Sequence, residues 1–238
     1  MQTKIDEIAP DVFRLSTLVE EAAPGGFTFN QFLVRDEQPF LFHTGMRALY
    51  PLVSSAVAEL IDLDDLRWIS FGHVEADESG AVNLFLADAP NAQVVHGELA
   101  CAVSLNDLCD RMPVIAPDGV HDVGGHRLRF IPTPHVPHNW EAGLWFDETT
   151  STLLAGDILT QVGQCPALTE SDCVAPALEA EAIFQATGLT TNLGPTLEQL
   201  AQLNPTTLAI MHGSSYSGDG AAQLRVLAGE YAAMAATG

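Results

Sequence analysis

A chain of 238 residues, 47% of them hydrophobic, is long enough to bury a substantial core in one large or two small domains. Its 31 acidic residues against 9 basic ones give a formal charge of −22, which repels nucleic acid and anionic membrane surfaces, so neither is predicted as a partner. The amino-terminal MQTKIDEIAPDVFRL has no apolar segment of signal-peptide length and the chain has no run of eighteen apolar residues, which together predict a soluble, cytoplasmic protein.

The chain opens with short β-branched and aromatic segments, Val12 to Val19, Thr28 to Arg35 and Pro39 to His43, broken by Pro24-Gly25-Gly26 and by Asp36-Glu37-Gln38. That pattern predicts an antiparallel meander. Apolar residues at helical spacing then mark a helix over Met46 to Leu60, and the turn Asp62 to Asp65 leads into a short apolar strand, Trp68 to Phe71. Beyond it lie a helix near Ala81 to Ala87, a strand near Gln93 to His96 and a helical piece near Ser104 to Asp110. A second set of strands follows at Val120 to Val123, Arg127 to Pro132, Gly143 to Phe146 and Thr152 to Leu154. Gln161 to Ala175 reads as a long loop over a site. Helices at Pro176 to Thr187 and Leu193 to Leu203, a strand at Thr207 to Met211 and a last helix from about Asp219 complete the pattern. Each half runs strands and then helix, with no repeat or low-complexity linker between them. The fold class predicted is α/β, one domain over residues 1–238 in which two packed sheets carry helices on their outer faces, a four-layer αββα sandwich.

Chemistry concentrates in WISFGHVEADESG, Trp68 to Gly80, where a buried strand turns at Gly72 into a loop holding His73, Glu75, Asp77 and Glu78. His73, Glu75 and Asp77 at alternate positions can converge from a curved extended loop on one small volume. The bland alternative is a solvated acidic turn ahead of a helix, with Asp77 or Ser79 as its cap. Three later stretches tip the balance. PTPHVPHNWEAG puts His135 and His138 past the strand Leu128 to Ile131, LLAGD puts Asp157 past Leu153-Leu154, and AIMHGSS puts His212 past Ile210. Strands laid side by side bring their carboxyl ends to one edge, so four strand-end groups of this type predict a metal site. The four cysteines, Cys101, Cys109, Cys165 and Cys173, form no CxxC and read as free thiols, which leaves a histidine and carboxylate donor set. Such a set suits non-haem iron that binds dioxygen, because anionic oxygen donors offset the charge of higher oxidation states.

These motifs resemble the metallo-β-lactamase superfamily over nearly the whole chain. Its usual HxHxDH is here His73-Val-Glu75-Ala-Asp77-Glu78, and the Glu in place of the second His is similar to the HxExD motif of flavodiiron proteins. The nineteen-residue separation of His138 and Asp157 and the late His212-Gly213 continue the likeness. The resemblance implies two irons, one held by His73, Glu75 and His138, the other by Asp77 and His212, with Asp157 bridging. His135 competes for the His138 position, since TPH imitates the TPGH of hydrolytic relatives. Glu78 is a weak ligand, a hydrogen-bond acceptor behind the ligands or a helix-start charge. No flavodoxin domain, flavin phosphate cradle or rubredoxin cysteine is evident, which makes the chain look closest to the oxygen-binding diiron proteins.

The resemblance therefore implies a protein that binds dioxygen or another diatomic gas reversibly, for sensing, or reduces dioxygen or nitric oxide with an external electron donor. A partner that receives the gas signal, and a homodimer like those of flavodiiron relatives, are further expectations. The competing reading is a dinuclear zinc or manganese hydrolase cleaving an ester, thioester, phosphodiester or lactam. Phe27, Phe29, Trp140, Trp145 and the Gln161 to Cys173 loop are candidates for an apolar pocket wall. Asn30 is expected either to orient a loop near the metals or to cap a strand. His43, His96, His121 and His126 fall outside every motif and are expected at the surface or in turns.

Overall fold

The computed structural model of the protein describes residues 1–237. Strands β1 (Thr3–Ala9), β2 (Val12–Val19), β3 (Phe27–Val34), β4 (Phe40–Phe42), β5 (Trp68–Ser70), β6 (Gln93–His96) and β7 (Val114–Ile115) form one sheet in sequential order. The first four are antiparallel neighbours, and β4 to β7 run parallel. The second sheet contains β8 (Val120–Asp122), β9 (Arg127–Pro132), β10 (Gly143–Asp147), β11 (Thr152–Gly156), β12 (Leu168–Thr169), β13 (Thr207–Ile210) and β14 (Ser215–Ser217), ordered β12-β14-β13-β11-β10-β9-β8. Among these, β9 and β11 flank β10 as antiparallel partners and β13 runs parallel to β11, so the carboxyl ends of β9, β11 and β13 share one edge.

Period-two alternation decides which residues face which layer. Val12, Phe32 and Phe42 enter the core shared with the second sheet, whereas their neighbours Phe13, Leu33 and Leu41 enter a core covered by α1 (Tyr50–Ala58) and α3 (Val82–Asp88). Between those helices lies the single turn α2 (Ala76–Ser79); beyond them α4 (Glu98–Ala100), a π turn over Cys101–Leu105 and α5 (Asn106–Leu108) fill the approach to β7. The outer face of the second sheet is covered by α6 (Val174–Phe184), α7 (Leu193–Ala201) and α8 (Gly220–Thr237). In α8 the buried positions Ala221, Leu224, Leu227 and Tyr231 recur at helical spacing. This is the expected four-layer sandwich. Among the described residues no helix is long and apolar enough to cross a membrane.

The expected elements differ from the observed ones mainly where strands are short. The expected single helix over Met46 to Leu60 is a 3-10 turn, Arg47–Leu49, followed by α1, and the helix expected from Pro176 starts two residues earlier with Pro176 inside its first turn. The stretch expected as loop from Gln161 to Ala175 contains β12, a two-residue strand paired to β14.

The four remaining histidines correct the expectation of surface positions. His43 and His96 are fully buried, His126 is buried, and His121 is half-buried against the Trp68 and Trp145 rings. Burial pushes His96 down to about 4, and its Nδ1 accepts the Gly97 N–H at 2.8 Å. His126 is raised above its ordinary 6.5 by a 2.8 Å hydrogen bond to Asp147, against the effect of burial. Burial opposes the charge on Asp147, yet His126, Thr150 and the Thr149 N–H hold it below 3.8. The His126 contribution is therefore complete below its unfolded value and lost as pH rises through the folded one, whereas that of Asp147 is lost only as pH falls through its own depressed value. In urea unfolding, the destabilisation caused by His126→Ala is expected to be larger near pH ~5 than near pH ~9. Equal destabilisation at both would show that the pair does not titrate as described.

Candidate metal centre

The site lies at the seam between the sheets. Past β5 the chain turns through Gly72, where a Cβ would press on both carboxylate oxygens of Glu78 at 3.0 Å, so glycine lets the loop close over that side chain without displacing it. His73 follows, 2% exposed, and Glu75 precedes α2, whose first turn carries Asp77 and Glu78. From the other sheet, Asp157 directly follows β11, His212 stands two residues past β13, and His138 lies on the loop after β9. Main-chain bonds close the seam, with Gly143 N–H donating to Gly72 O at 2.8 Å and Asn30 N–H to Met211 O at 3.0 Å.

The side chains converge in two half-sites. In the first, His73 Nε2 is 2.8 Å and His138 Nε2 3.0 Å from Glu75 Oε2, and Asp157 Oδ2 is 3.9 and 3.5 Å from the same nitrogens. One donor atom from each of these four residues lies within 4.8 Å of the others. In the second, His212 Nε2 is 3.2 Å from Asp157 Oδ1 and 3.4 Å from Asp77 Oδ2. Asp157 thus faces one half-site with each oxygen. The His212 Nδ1–H donates to Thr28 O at 2.7 Å, which leaves Nε2 as the free donor atom, and the Phe27 ring stacks on the imidazole at 4.2 Å.

The residues fit a metal pair on their own chemistry. Three imidazoles and three carboxylates, without thiolate, converge there, and the nearly buried Asp157 Oδ1 has no hydrogen-bond partner among the described residues. The field of the cluster strongly favours positive charge. Burial opposes protonation of His73 and His212, yet the carboxylates overcome it and hold both at about 10. Hydrogen bonds from His138 and His73 hold Glu75 at about 2. In the metal-free protein protons occupy places that divalent cations would take, so loading must release them.

All six residues the resemblance assigns are brought together, whereas His135 is exposed, on backbone of positive φ, outside the cluster. Glu78 is fully buried, its Oε2 accepts the His73 N–H at 2.7 Å, and burial pushes its carboxyl up to about 8 against the pull of His73. It lies buried behind His73 and is no helix-start surface charge. A cavity of about 200 Å³ opens on the cluster. Phe27 lines it as expected, but the other candidate walls do not: Trp145 is fully buried between the sheets, Trp140 is 47% exposed, and Phe29 packs edge-on against His212. The wall comes instead from α6 and its exit, Ala177, Ala180, Phe184 and Thr187, with Tyr231 of α8. Spacing gave no sign of this, because an apolar helix face reads alike whether it meets a core or a cavity. Asn30 is buried mid-strand, its Nδ2 donating to Ile210 O at 2.8 Å and Gly213 O at 3.0 Å, which orients the His212 turn.

Two facing mixed sheets with a histidine and carboxylate cluster at their seam define a metallo-β-lactamase-like protein of the flavodiiron type of core. Residues 27–213 match the model of the ODP family beta lactamase, and the chain belongs to that family. A putative diflavin flavoprotein A 2 of Synechocystis sp. is 31% identical over 137 residues, 56% of this chain and 23% of that protein. A putative diflavin flavoprotein A 1 of Nostoc sp. is 29% identical over 143 residues, 59% of this chain and 25% of that protein. The chain thus spans about a quarter of the length of these curated relatives. Among solved structures, a metal-soaked flavodiiron core from Synechocystis sp. superposes with a TM-score of 0.82 at 21% identity, over 99% of this chain and 61% of that one. The rubredoxin oxygen:oxidoreductase of Desulfovibrio gigas gives 0.80 at 16% identity, over 98% and 62%. These structures share the fold.

Proposed function

We propose that the protein is a non-haem diiron protein that binds dioxygen, reversibly in the absence of a reductant and with reduction of dioxygen or nitric oxide when an external donor supplies electrons. The observation that carries this reading is the placement of Asp157, one carboxylate oxygen toward His73 and His138 and the other toward His212. His73, Glu75 and His138 would hold one iron and Asp77 and His212 the other, with Asp157 offering an oxygen to each. When bound, such a pair of ferrous ions supplies the two electrons that share charge with a diatomic ligand.

The chain's own residues do the rest. Thr28 O fixes the His212 ring, and Phe27 stacks on its face and keeps it dry. Ala177, Ala180 and Phe184 keep that side of the cavity apolar, which favours a small uncharged gas over an anionic substrate. Glu75 in place of the neutral second histidine supports iron over a hydrolytic metal, since that histidine leaves a more acidic metal-bound water. The names of the flavodiiron and rubredoxin oxygen:oxidoreductase structures point the same way.

Metal analysis of protein purified without added metal, followed by absorption spectra of the reduced protein before and after air, tests this. About two irons per chain and a new near-ultraviolet or visible band that reverses on removing oxygen are expected. A band that does not reverse would favour reduction over carriage. Two zincs and no spectral response would overturn the diiron reading in favour of a hydrolase.

A further inference from the structure

Behind the ligands, three buried groups form a chain the metal assignment does not use. Glu78 accepts the His73 main-chain N–H through Oε2, while its Oε1 lies between two imidazole nitrogens, His73 Nδ1 at 3.5 Å and His43 Nε2 at 3.4 Å. Glu78 Oε1 and His43 Nε2 are both buried with no hydrogen-bond partner, and they face one another. Both side chains are fully buried. His43 Nδ1 lies 3.4 Å from the Asn30 carbonyl, and the Asn30 side chain holds Ile210 O and Gly213 O on either side of His212.

We infer that Glu78 and His43 are positioning residues that fix the His73 ring and, through Asn30, its distance from His212, so that they set the spacing of the two metal positions. This rests on the dinuclear reading above. The His73 Nε2 edge faces Glu75 and Asp157, so its Nδ1 is the nitrogen left facing Glu78 Oε1, 3.5 Å away. His43, held neutral by burial, gives its one N–H, on Nδ1, to the Asn30 carbonyl, so it is the Nε2 lone pair that faces the same Glu78 oxygen from the opposite side, 3.4 Å away, and can accept from the Glu78 carboxyl. Asn30 spans the seam, because its strand belongs to the first sheet and its side-chain partners to the second. A carboxylate that orients a ligating imidazole commonly changes metal affinity by 10- to 100-fold. An apolar residue at position 43 would fill the space and remove the polar neighbour of Glu78 Oε1, whereas glutamine presents an amide group near the place of Nε2.

The experiment is cobalt(II) titration of chelator-stripped full-length protein, read by stoichiometry, affinity and the visible ligand-field band, with melting of the metal-free form as control. Wild type is expected to take up about two equivalents. E78Q and H43L are expected to bind at least ~10-fold more weakly with a shifted band, and H43Q to keep the wild-type band and come within ~3-fold of its affinity. The metal-free melting temperature of H43L and H43Q should agree, so that any difference in the band is positional. Wild-type affinity and band in both E78Q and H43L, with two equivalents bound, would overturn this inference alone. A wild-type protein that takes up no cobalt pair would overturn the dinuclear reading and this inference with it.

Discussion

Asp157→Ala is expected to strip both metals at once, taking iron from about two per chain to near none. Its two oxygens face one half-site each, with Oδ2 toward His73 and His138 and Oδ1 toward His212. Alanine leaves one half-site with two imidazoles and Glu75, and the other with only Asp77 and His212. Neither retains the anionic bridge that allows two dications to sit close together, so each is expected to weaken by at least ~100-fold. Elemental analysis of purified protein is the check, with His138→Ala and His135→Ala alongside. The first should lose iron and the second keep it, since His135 stands exposed outside the cluster. Retention of two irons by Asp157→Ala would refute the ligand assignment.

Trp145→Ala should cost the fold about 3–5 kcal/mol, measured by denaturant unfolding of the metal-free protein. Trp145 is fully buried, packs edge-on against Phe40 at 5.1 Å and Phe130 at 5.3 Å, and donates through Nε1 to Ser70 Oγ at 2.9 Å. Its loss opens a cavity where the two sheets meet and removes the aromatic contacts from both sides. Because whole domains are stable by only about 5–15 kcal/mol, one side chain would then account for a large part of the total. Ser70 would keep its own bond to Val95 O, so the loss is one of packing more than of an orphaned hydroxyl. Trp145→Phe, which keeps most of the volume, should cost clearly less, and a cost below ~1 kcal/mol for alanine would show that the seam relaxes to fill the space.

The convergence of the candidate ligands was legible because they follow apolar strands, and a strand end leaves its next residues at a sheet edge where loops can converge. His73, Asp157 and His212 are all of this kind, and the αββα order followed from strands alternating with helical spacing in each half. His43 and His126 were not legible, since each is buried through a partner distant in sequence, which period alone does not show, and spacing could not choose among the three readings open for Glu78. His43 reaches Glu78 across 35 residues (78 − 43) and His126 reaches Asp147 across a hairpin. β7, β12 and β14, two or three residues long, carry too few positions for alternation to register; they exist because a neighbouring strand offers unpaired groups.

The division of ligands between the sheets also sets a timetable for assembly. His73, Glu75 and Asp77 belong to the part of the chain made first, whereas His138, Asp157 and His212 come later. Between synthesis of Asp77 and of His212 lie 135 residues (212 − 77), which at about 5–20 residues per second occupy ~7–27 s. That interval opens with one imidazole and two carboxylates and gains His138 and Asp157 before its end, so the set is complete only once His212 has been made. Capture of a complete metal pair is therefore expected late in the maturation of this protein, after the second sheet has closed on the first, with the metal available at that moment, more than at initiation, setting how much loaded protein forms.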